Sequence, residues 1–146
     1  MSTTWPGQTL AASGLHQMIL EQMQDAVIVA DTEGTIRMWN RGAEVLFGFS
    51  AAEAVGSGLN LLVPARFRQA HNEGFRQAIA AGHLRTEGRV MTTRSNHKNE
   101  CRLYVDFSFS LLKDARGQVF GVVAVARDAT ARHLEEVAHR LQASEA

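Results

Sequence analysis

The chain has 146 residues, enough for one domain, and its 45% hydrophobic and 21% charged residues are typical of globular proteins and exclude global disorder. Fifteen basic residues match fifteen acidic ones, so the formal net charge is zero and nucleic acid is not an expected partner. The single cysteine excludes an internal disulfide and a CxxC zinc or redox site.

The first residues predict neither a signal peptide nor a membrane anchor. Residues 1–14 have no basic segment followed by a long apolar core, and they are rich in Ser, Thr and Gly, which favours a flexible arm. The longest apolar run, around residues 121–126, is far shorter than a membrane span. We therefore expect a cytoplasmic location, with no membrane contact from this segment.

A short helix and a β-hairpin are predicted next. Over residues 15–24, apolar side chains recur on one face at helical spacing. Residues 26–30 and 35–39 are two β-prone runs separated by an acidic turn that contains Gly34. This pattern is typical of a hairpin.

Three helices are predicted between the hairpin and the later strands. Asn40 is a helix-capping residue, and Ser50 with Glu53 has the spacing of a capping box, so each opens a short helix. Residues 65–81 predict the longest central helix. Its apolar face holds Phe67, His71, Phe75, Ala78 and Ile79.

Three β-prone segments and an exit helix complete the chain. The segments are residues 87–93, 102–112 and 118–127, and the last is apolar on both faces, which favours a central place in a sheet. Residues 129–146 predict a C-terminal signalling or linker helix. The order predicts an α+β fold: a five-stranded antiparallel sheet with short helices packed on one face and flanking N- and C-terminal helices. A pocket is expected between the long helix and the sheet.

The motifs resemble those of PAS domains in order and spacing. Residues 25–31 resemble the opening strand of the family, and residues 40–48 resemble its N-x-x-A-E-x-L-F-G helix. Residues 53–56 match the E-x-x-G that follows, and residues 127–130 resemble the closing R-D-x-T. The resemblance implies that residues 15–128 form a PAS sensor domain, a signal-input module with the PAS fold.

A narrower resemblance concerns residues 60–64 followed by His71, which are similar to the haem-binding PAS domains of the FixL and direct-oxygen-sensor types. It implies haem b with His71 as the proximal iron ligand, and a diatomic gas, O₂ first, or redox state as the signal. It also implies an arginine that donates charge-assisted hydrogen bonds to the gas. The other pocket residues that it implies are Leu62, Phe75, His83, Arg89, Phe107 and Phe109.

His71 has two interpretations. A haem iron needs an axial side chain with a lone pair that faces an apolar slot, and Phe67 and Phe75 flank His71 on its helix. The alternative is a histidine without a ligand role. The chain is then a PAS domain that binds another small ligand or none and acts as a dimerising interaction module.

The sequence predicts a sensor and no enzyme. It contains no GxSxG elbow, no P-loop and no GxGxxG. Residues 57–62 hold no cysteine, which excludes a light sensor that forms a cysteinyl adduct. We expect a homodimer through the flanking helices and, beyond the C-terminus, an output domain such as a kinase, a cyclase or a transcription domain.

Overall fold

Five strands form one antiparallel sheet. The computed structural model describes residues 12–145. The strands are β1 (Ala26–Asp31), β2 (Ile36–Trp39), β3 (Met91–Ser95), β4 (Leu103–Lys113) and β5 (Val119–Asp128). The helices are α1 (Ala12–Gln22), α2 (Arg41–Phe47), α3 (Ala51–Ala54), α4 (Arg68–Ala81) and α5 (Thr130–Glu145), with 3₁₀ turns at Leu59–Leu61 and Ala65–Phe67.

The strand order in the sheet is β2-β1-β5-β4-β3, and all neighbours are antiparallel. β5 occupies the centre because its side chains are apolar on both faces and can be covered on both sides. This confirms the predicted five-stranded antiparallel sheet and the predicted place of its last strand.

The hydrophobic core lies on the face of the sheet that α2 and α3 cover. Phe47 of α2 is fully buried there, with its ring centroid 5.5 Å from Trp39 and 6.2 Å from Phe107. Trp39 also donates its indole N–H to the carbonyl oxygen of Phe49 at 2.9 Å. Strand β5 supplies small residues, Ala124 and Ala126, which leave room for these rings. We call this the inner face of the sheet.

Asn40 joins three elements through one buried side chain. Its Oδ1 accepts hydrogen bonds from the backbone N–H of Val27 on β1 at 2.8 Å and of Ala43 in α2 at 3.0 Å. Its Nδ2 donates to the carbonyl oxygens of Leu20 in α1 at 2.8 Å and of Asp25 at 3.1 Å. All four hydrogen bonds of this buried amide are therefore made with backbone groups.

The predicted caps are present. Asn40 is the N-cap of α2, and Gly48 ends that helix in the left-handed region at φ 81°. Ser50 and Glu53 form the complete capping box of α3, because each side chain accepts from the backbone N–H of the other. These short helices are held by their caps, since they are too short to be stable alone.

Helix α4 begins later than the sequence predicts. Residues 65–67 form a 3₁₀ turn after Pro64, and Phe67 has a backbone conformation (φ −105°, ψ −2°) that separates this turn from the α-helix at Arg68. Before it, the carbonyl oxygen of Leu62 accepts from Ser95 Oγ at 3.1 Å and from the N–H of Asn96 at 2.8 Å. The chain that leads into α4 is therefore tied to the end of β3.

Strand β3 is shifted from the predicted residues 87–93 to Met91–Ser95. The preceding residues form turns, in which the N–H of Arg89 donates to the carbonyl oxygen of Thr86 at 2.9 Å and Gly88 has a φ of 77°. Backbone groups that are hydrogen-bonded within a turn are not available to pair with a neighbouring strand, so β3 begins after these turns.

The flanking helices also differ from the predicted bounds. α1 begins at Ala12 and not at Leu15, and the rest of the predicted arm, residues 1–11, lies outside the described residues. α5 spans Thr130–Glu145 where the sequence predicts residues 129–146. No helix in residues 12–145 is long and apolar enough to cross a membrane.

Replacement of Asn40 by alanine should destabilise the fold by about 3 kcal/mol, because it removes a helix cap and leaves buried backbone groups without partners. Urea unfolding followed by circular dichroism measures the change. The exposed Asn60→Ala variant is the control and should change stability by less than about 0.5 kcal/mol. Equal stability of the two variants would contradict the role given to Asn40.

Candidate functional site

Helix α4 is 14 residues long and buries none of its residues. Its most enclosed positions are half-buried and share one face: His71, Phe75, Ala78 and Ile79. Phe67, which the sequence places on the same face, is 43% exposed, and the guanidinium of Arg66 lies 4.6 Å from its ring centroid. The predicted face is therefore present without Phe67.

A cavity of about 530 Å³ borders the half-buried face of α4. This volume lies within the range of roughly 300–1,000 Å³ that is usual for small-molecule sites. Helix α4 contributes His71, Asn72, Phe75 and Arg76 to the wall. The opposite wall consists of residues 32–34 and 58–60.

The opposite wall is rigid because two turns are bonded together. Asp31 Oδ1 accepts from the N–H groups of Glu33 and Thr35, both at 3.0 Å, and this shapes the β1–β2 turn. The hydrogen bond from Thr35 is the main cause of the lowered pKa of Asp31. The N–H of Leu59 then donates to the carbonyl oxygen of Gly34 at 2.9 Å. A side chain at Gly34 would reach to 3.9 Å from Phe75, so this turn faces α4.

His71 has the properties of a neutral imidazole that can act as a ligand. Its Nδ1 is buried and has no hydrogen-bond partner among residues 12–145. Burial lowers the pKa of His71 from its ordinary value of 6.5, so the ring is uncharged at neutral pH. The ring stacks with Phe75 at a centroid distance of 6.4 Å. A hydrogen bond with the Asn72 side chain acts on this pKa in the opposite direction and is the smaller effect. A neutral imidazole keeps a lone pair on one of its ring nitrogens, as ligation of a haem iron requires.

The inner face of the sheet carries apolar side chains from β3, β4 and β5. Phe107 and Phe109 stack with ring centroids 5.3 Å apart. Toward the same end of the sheet, Met91 is opposite Phe107 and is 37% exposed, and Phe120 is 56% exposed. The side chains of Phe120 and Val122 lie on one face because they are two residues apart in a strand. Phe107 itself belongs to the core, and Phe107, Phe109, Met91 and Phe120 are not among the residues that line the cavity at α4.

The structure brings the predicted site residues together in two groups. His71 and Phe75 meet on α4, and Phe107 and Phe109 meet on β4. Leu62 is buried in the core. His83 and Arg89 are exposed, beyond the end of α4 and in the turn before β3 respectively. Of the predicted site residues, only His71 and Phe75 line the cavity at α4. The residues present fit a haem through the axial imidazole of His71. Within the described residues no three His, Cys, Asp or Glu side chains cluster as metal ligands. Ligation of a haem iron does not need such a cluster, because one histidine suffices.

The turns at residues 32–34 and 58–60 are the part of the site that the sequence does not indicate. Gly34 and Gly58 mark turns in the sequence. Nothing in the local pattern predicts that the two turns bond to each other or face α4.

A larger groove of about 900 Å³ lies at the other end of the molecule. Val45, Leu46, His97, Cys101 and Arg102 are among its lining residues. None of the predicted site residues lines it. The groove is therefore separate from the candidate site at α4.

A family model described as the PAS fold matches residues 20–134. The chain belongs to the PAS family. This result confirms the family that the motifs indicate, and the fold described above is the PAS fold.

Two curated relatives carry sensor names. The PAS domain is 28% identical over 120 residues to the oxygen sensor protein DosP of Escherichia coli, a match that covers 82% of this chain and 15% of that protein. It is 36% identical over 76 residues to the sensor protein FixL of Bradyrhizobium diazoefficiens, which covers 51% of this chain and 15% of that one. The matched region thus spans 15% of the length of both relatives.

Solved structures share the architecture of this PAS domain. The PAS domain of a Colwellia psychrerythraea protein superposes with a TM-score of 0.70 at 21% identity, covering 81% of this chain and 97% of that one. An RNA-binding Light-Oxygen-Voltage receptor gives a TM-score of 0.70 at 22% identity, covering 99% of this chain and 41% of that one. At these identities the likeness establishes the fold alone.

The ring of His71 should titrate below pH 6.5 in the protein without added haem, because burial disfavours its charged form. The unfolded chain then binds a proton more readily than the folded one. The contribution of His71 to stability is complete above pH 6.5 and is lost as the pH falls through the folded pKa. Nuclear magnetic resonance titration, with His71→Gln to assign the signal, measures the midpoint. A midpoint at or above 6.5 would show that the ring faces water.

Proposed function

We propose that this PAS domain binds haem b through His71 and senses a diatomic gas, with O₂ as the first candidate. The observation that supports the proposal most directly is the half-buried His71 ring, whose unpartnered Nδ1 and lowered pKa mark an uncharged imidazole beside a ligand-sized cavity. The similarity to a protein named as an oxygen sensor supports the same conclusion.

Each part of the site has a role in this proposal. In this proposal His71 supplies the axial nitrogen and Phe75 supplies apolar surface in the cavity wall. Phe107 and Phe109 keep their predicted role as apolar side chains of β4. Arg76 lines the cavity and offers a cation for a propionate. When bound, haem supplies the iron that binds the gas reversibly.

Arg89 is the proposed gas-recognising residue. Its guanidinium is a charge-assisted donor that favours a polar diatomic gas over a less polar one. It lies in an exposed turn two residues before β3, so its position can change without unpairing the sheet. A movement of this turn is passed directly to β3, because the turn leads into that strand.

The alternative that shares this fold is a PAS domain with another ligand or with none. Light-Oxygen-Voltage structures resemble the chain at low identity. The single cysteine, Cys101, is exposed and lies just before β4, away from the cavity wall at residues 58–60. A cysteinyl adduct with a flavin in that cavity is therefore unfavourable, and the haem proposal is preferred.

The domain is proposed to be the input module of a longer signalling protein and not to catalyse a reaction itself. The matched region is 15% of DosP and 15% of FixL, so most of each relative lies outside it. Helix α5 leaves the sheet at the C-terminal end and is the route toward an output domain.

Haem titration of the purified chain should give an intense absorption band near 400 nm with one haem per protein. His71→Ala should abolish or strongly weaken the band, because it removes the axial nitrogen. His139→Ala, an exposed histidine on α5, is the matched control and should bind as the unchanged chain does. A chain that stays colourless would remove the haem proposal, and a band retained in His71→Ala would place the ligand elsewhere.

We also propose a homodimer through the flanking helices. Met18 and Ile19 on α1 and Leu134 and Leu141 on α5 are each more than 40% exposed. Exposed apolar side chains on two helices mark an association surface.

Sedimentation should show a dimer at high micromolar concentration, and Ile19→Lys combined with Leu141→Lys should convert it to a monomer by placing charge in the interface. Val55→Lys alters an exposed apolar residue away from both helices and should leave the dimer intact. A monomer at the same concentration for the unchanged chain would refute the dimer.

A further inference from the structure

Four charged side chains form a row on the outer face of the sheet, opposite the core. Arg127 Nε on β5 lies 2.7 Å from Asp25 Oδ1. Arg132 on α5 binds Asp106 on β4 through two bonds, Nη1 to Oδ2 at 2.5 Å and Nη2 to Oδ1 at 2.8 Å. We call Asp25, Arg127, Asp106 and Arg132 the ion-pair row.

The two pairs of the row are neighbours in the β-ladder. Asp106 lies directly opposite Arg127 in the pairing of β4 with β5. The Cβ atoms of directly opposed residues are about 4.5–5.5 Å apart, and both side chains point to the same face. The carboxylate of Asp106 therefore has two arginines within reach, one on the sheet and one on α5.

The row connects three parts of the fold. Asp25 lies between α1 and β1, and Arg132 lies in the first turn of α5. Thr92 on the edge strand β3 donates to Asp106 Oδ1 at 2.6 Å and accepts from Arg132 at 3.1 Å. A displacement of β3 therefore acts on the Asp106–Arg132 pair.

We propose that the ion-pair row is a two-position switch that sets how firmly helix α5 is held against the sheet. In the holding arrangement, which the structure shows, Asp106 binds Arg132 and Asp25 binds Arg127. In the releasing arrangement, Arg127 turns from Asp25 to Asp106, and Arg132 leaves with α5. The switch deepens the proposed function and rests on it for the identity of the signal.

The exposure of the two arginines keeps the free-energy cost of exchanging ion-pair partners low. The carboxylates are enclosed, with side chains 24% and 17% exposed for Asp25 and Asp106, whereas Arg127 and Arg132 are 75% and 50% exposed. The holding arrangement has two ion pairs and the releasing arrangement has one. Because ion pairs with such exposed arginines contribute little each, release costs only a small free energy. The hydrogen bonds from Arg132 and Thr92 hold the pKa of Asp106 down to about 2, so it is charged at neutral pH.

The base of α5 has contacts of its own that serve as a hinge. The N–H of Ala129 donates to the carbonyl oxygen of Tyr104 at 2.8 Å, and the N–H of Tyr104 donates to Thr130 Oγ1 at 3.0 Å. His133 stacks on Tyr104 with ring centroids 4.0 Å apart. Glu136 pairs with Arg132 at 3.3 Å within the helix and travels with it. Release of Arg132 thus swings α5 about Tyr104 without detaching it.

Amide hydrogen exchange of residues 133–138, measured at pH 7 on the chain without haem, tests the switch. Arg127→Gln removes the competing cation and should slow exchange in α5 about two- to fivefold, the range expected for a partly exposed pair. Asp25→Asn frees Arg127 and should speed exchange by a similar factor, although the side chain of Asp25 pairs with Arg127 and not with a residue of α5. Arg132→Gln and Asp106→Asn should also speed it.

The double variant Asp25→Asn with Arg127→Gln should exchange as slowly as Arg127→Gln alone, because no competitor remains. Arg140→Gln on the exposed side of α5 is the control and should leave exchange unchanged. Unchanged exchange in the β1–β2 hairpin shows that each variant is folded.

Faster exchange in Arg127→Gln, or fast exchange in the double variant, would overturn the proposed switch. It would show that the ion-pair row is a static network. Failure of haem titration removes the proposed function without altering these results, since no haem is present in the exchange experiment.

Discussion

The buried amide of Asn40 is the constraint on which the arrangement of the domain depends. One side chain caps α2, accepts from the first strand and donates to the end of α1 and to Asp25. The N-terminal flanking helix is thereby fixed to the same point as the core helix. The chain is also tightly packed at this junction, because a Cβ atom at Gly42 would lie 2.2 Å from the carbonyl oxygen of Asp25. The junction therefore accepts few substitutions.

Stability and ligand binding are carried by different parts of the molecule. The core lies between α2 and the central strands, where Phe47, Ile28 and Ile36 are fully buried. The candidate site lies beside it, between α4 and the two bonded turns, and His71 and Phe75 contribute little to core packing. Because this site lies beside the core, it can hold the His71 ring, whose Nδ1 has no hydrogen-bond partner among residues 12–145, without a defect in core packing.

Local chemistry explains which parts of this structure are predictable from sequence. The caps at Asn40 and Ser50 and the hairpin turn at Gly34 were predictable, because each depends on residues within a few positions. Strand β3 was predicted too early because its start depends on turns formed by Gly88 and Arg89, which compete with pairing. His71 was predictable as a half-enclosed residue of its helix from periodicity. The opposite wall of its cavity depends on contacts between distant turns, which no local pattern records.

The absence of buried residues in α4 has a consequence for how such a domain changes over time. Substitutions at positions that support no core packing cost little folding free energy. Helix α4 can therefore drift in sequence while the sheet and the Asn40 junction stay the same. The domain can therefore acquire a new ligand specificity through changes in α4 alone. The C-terminal helix α5 can meanwhile keep its contacts with the sheet and its signalling partners.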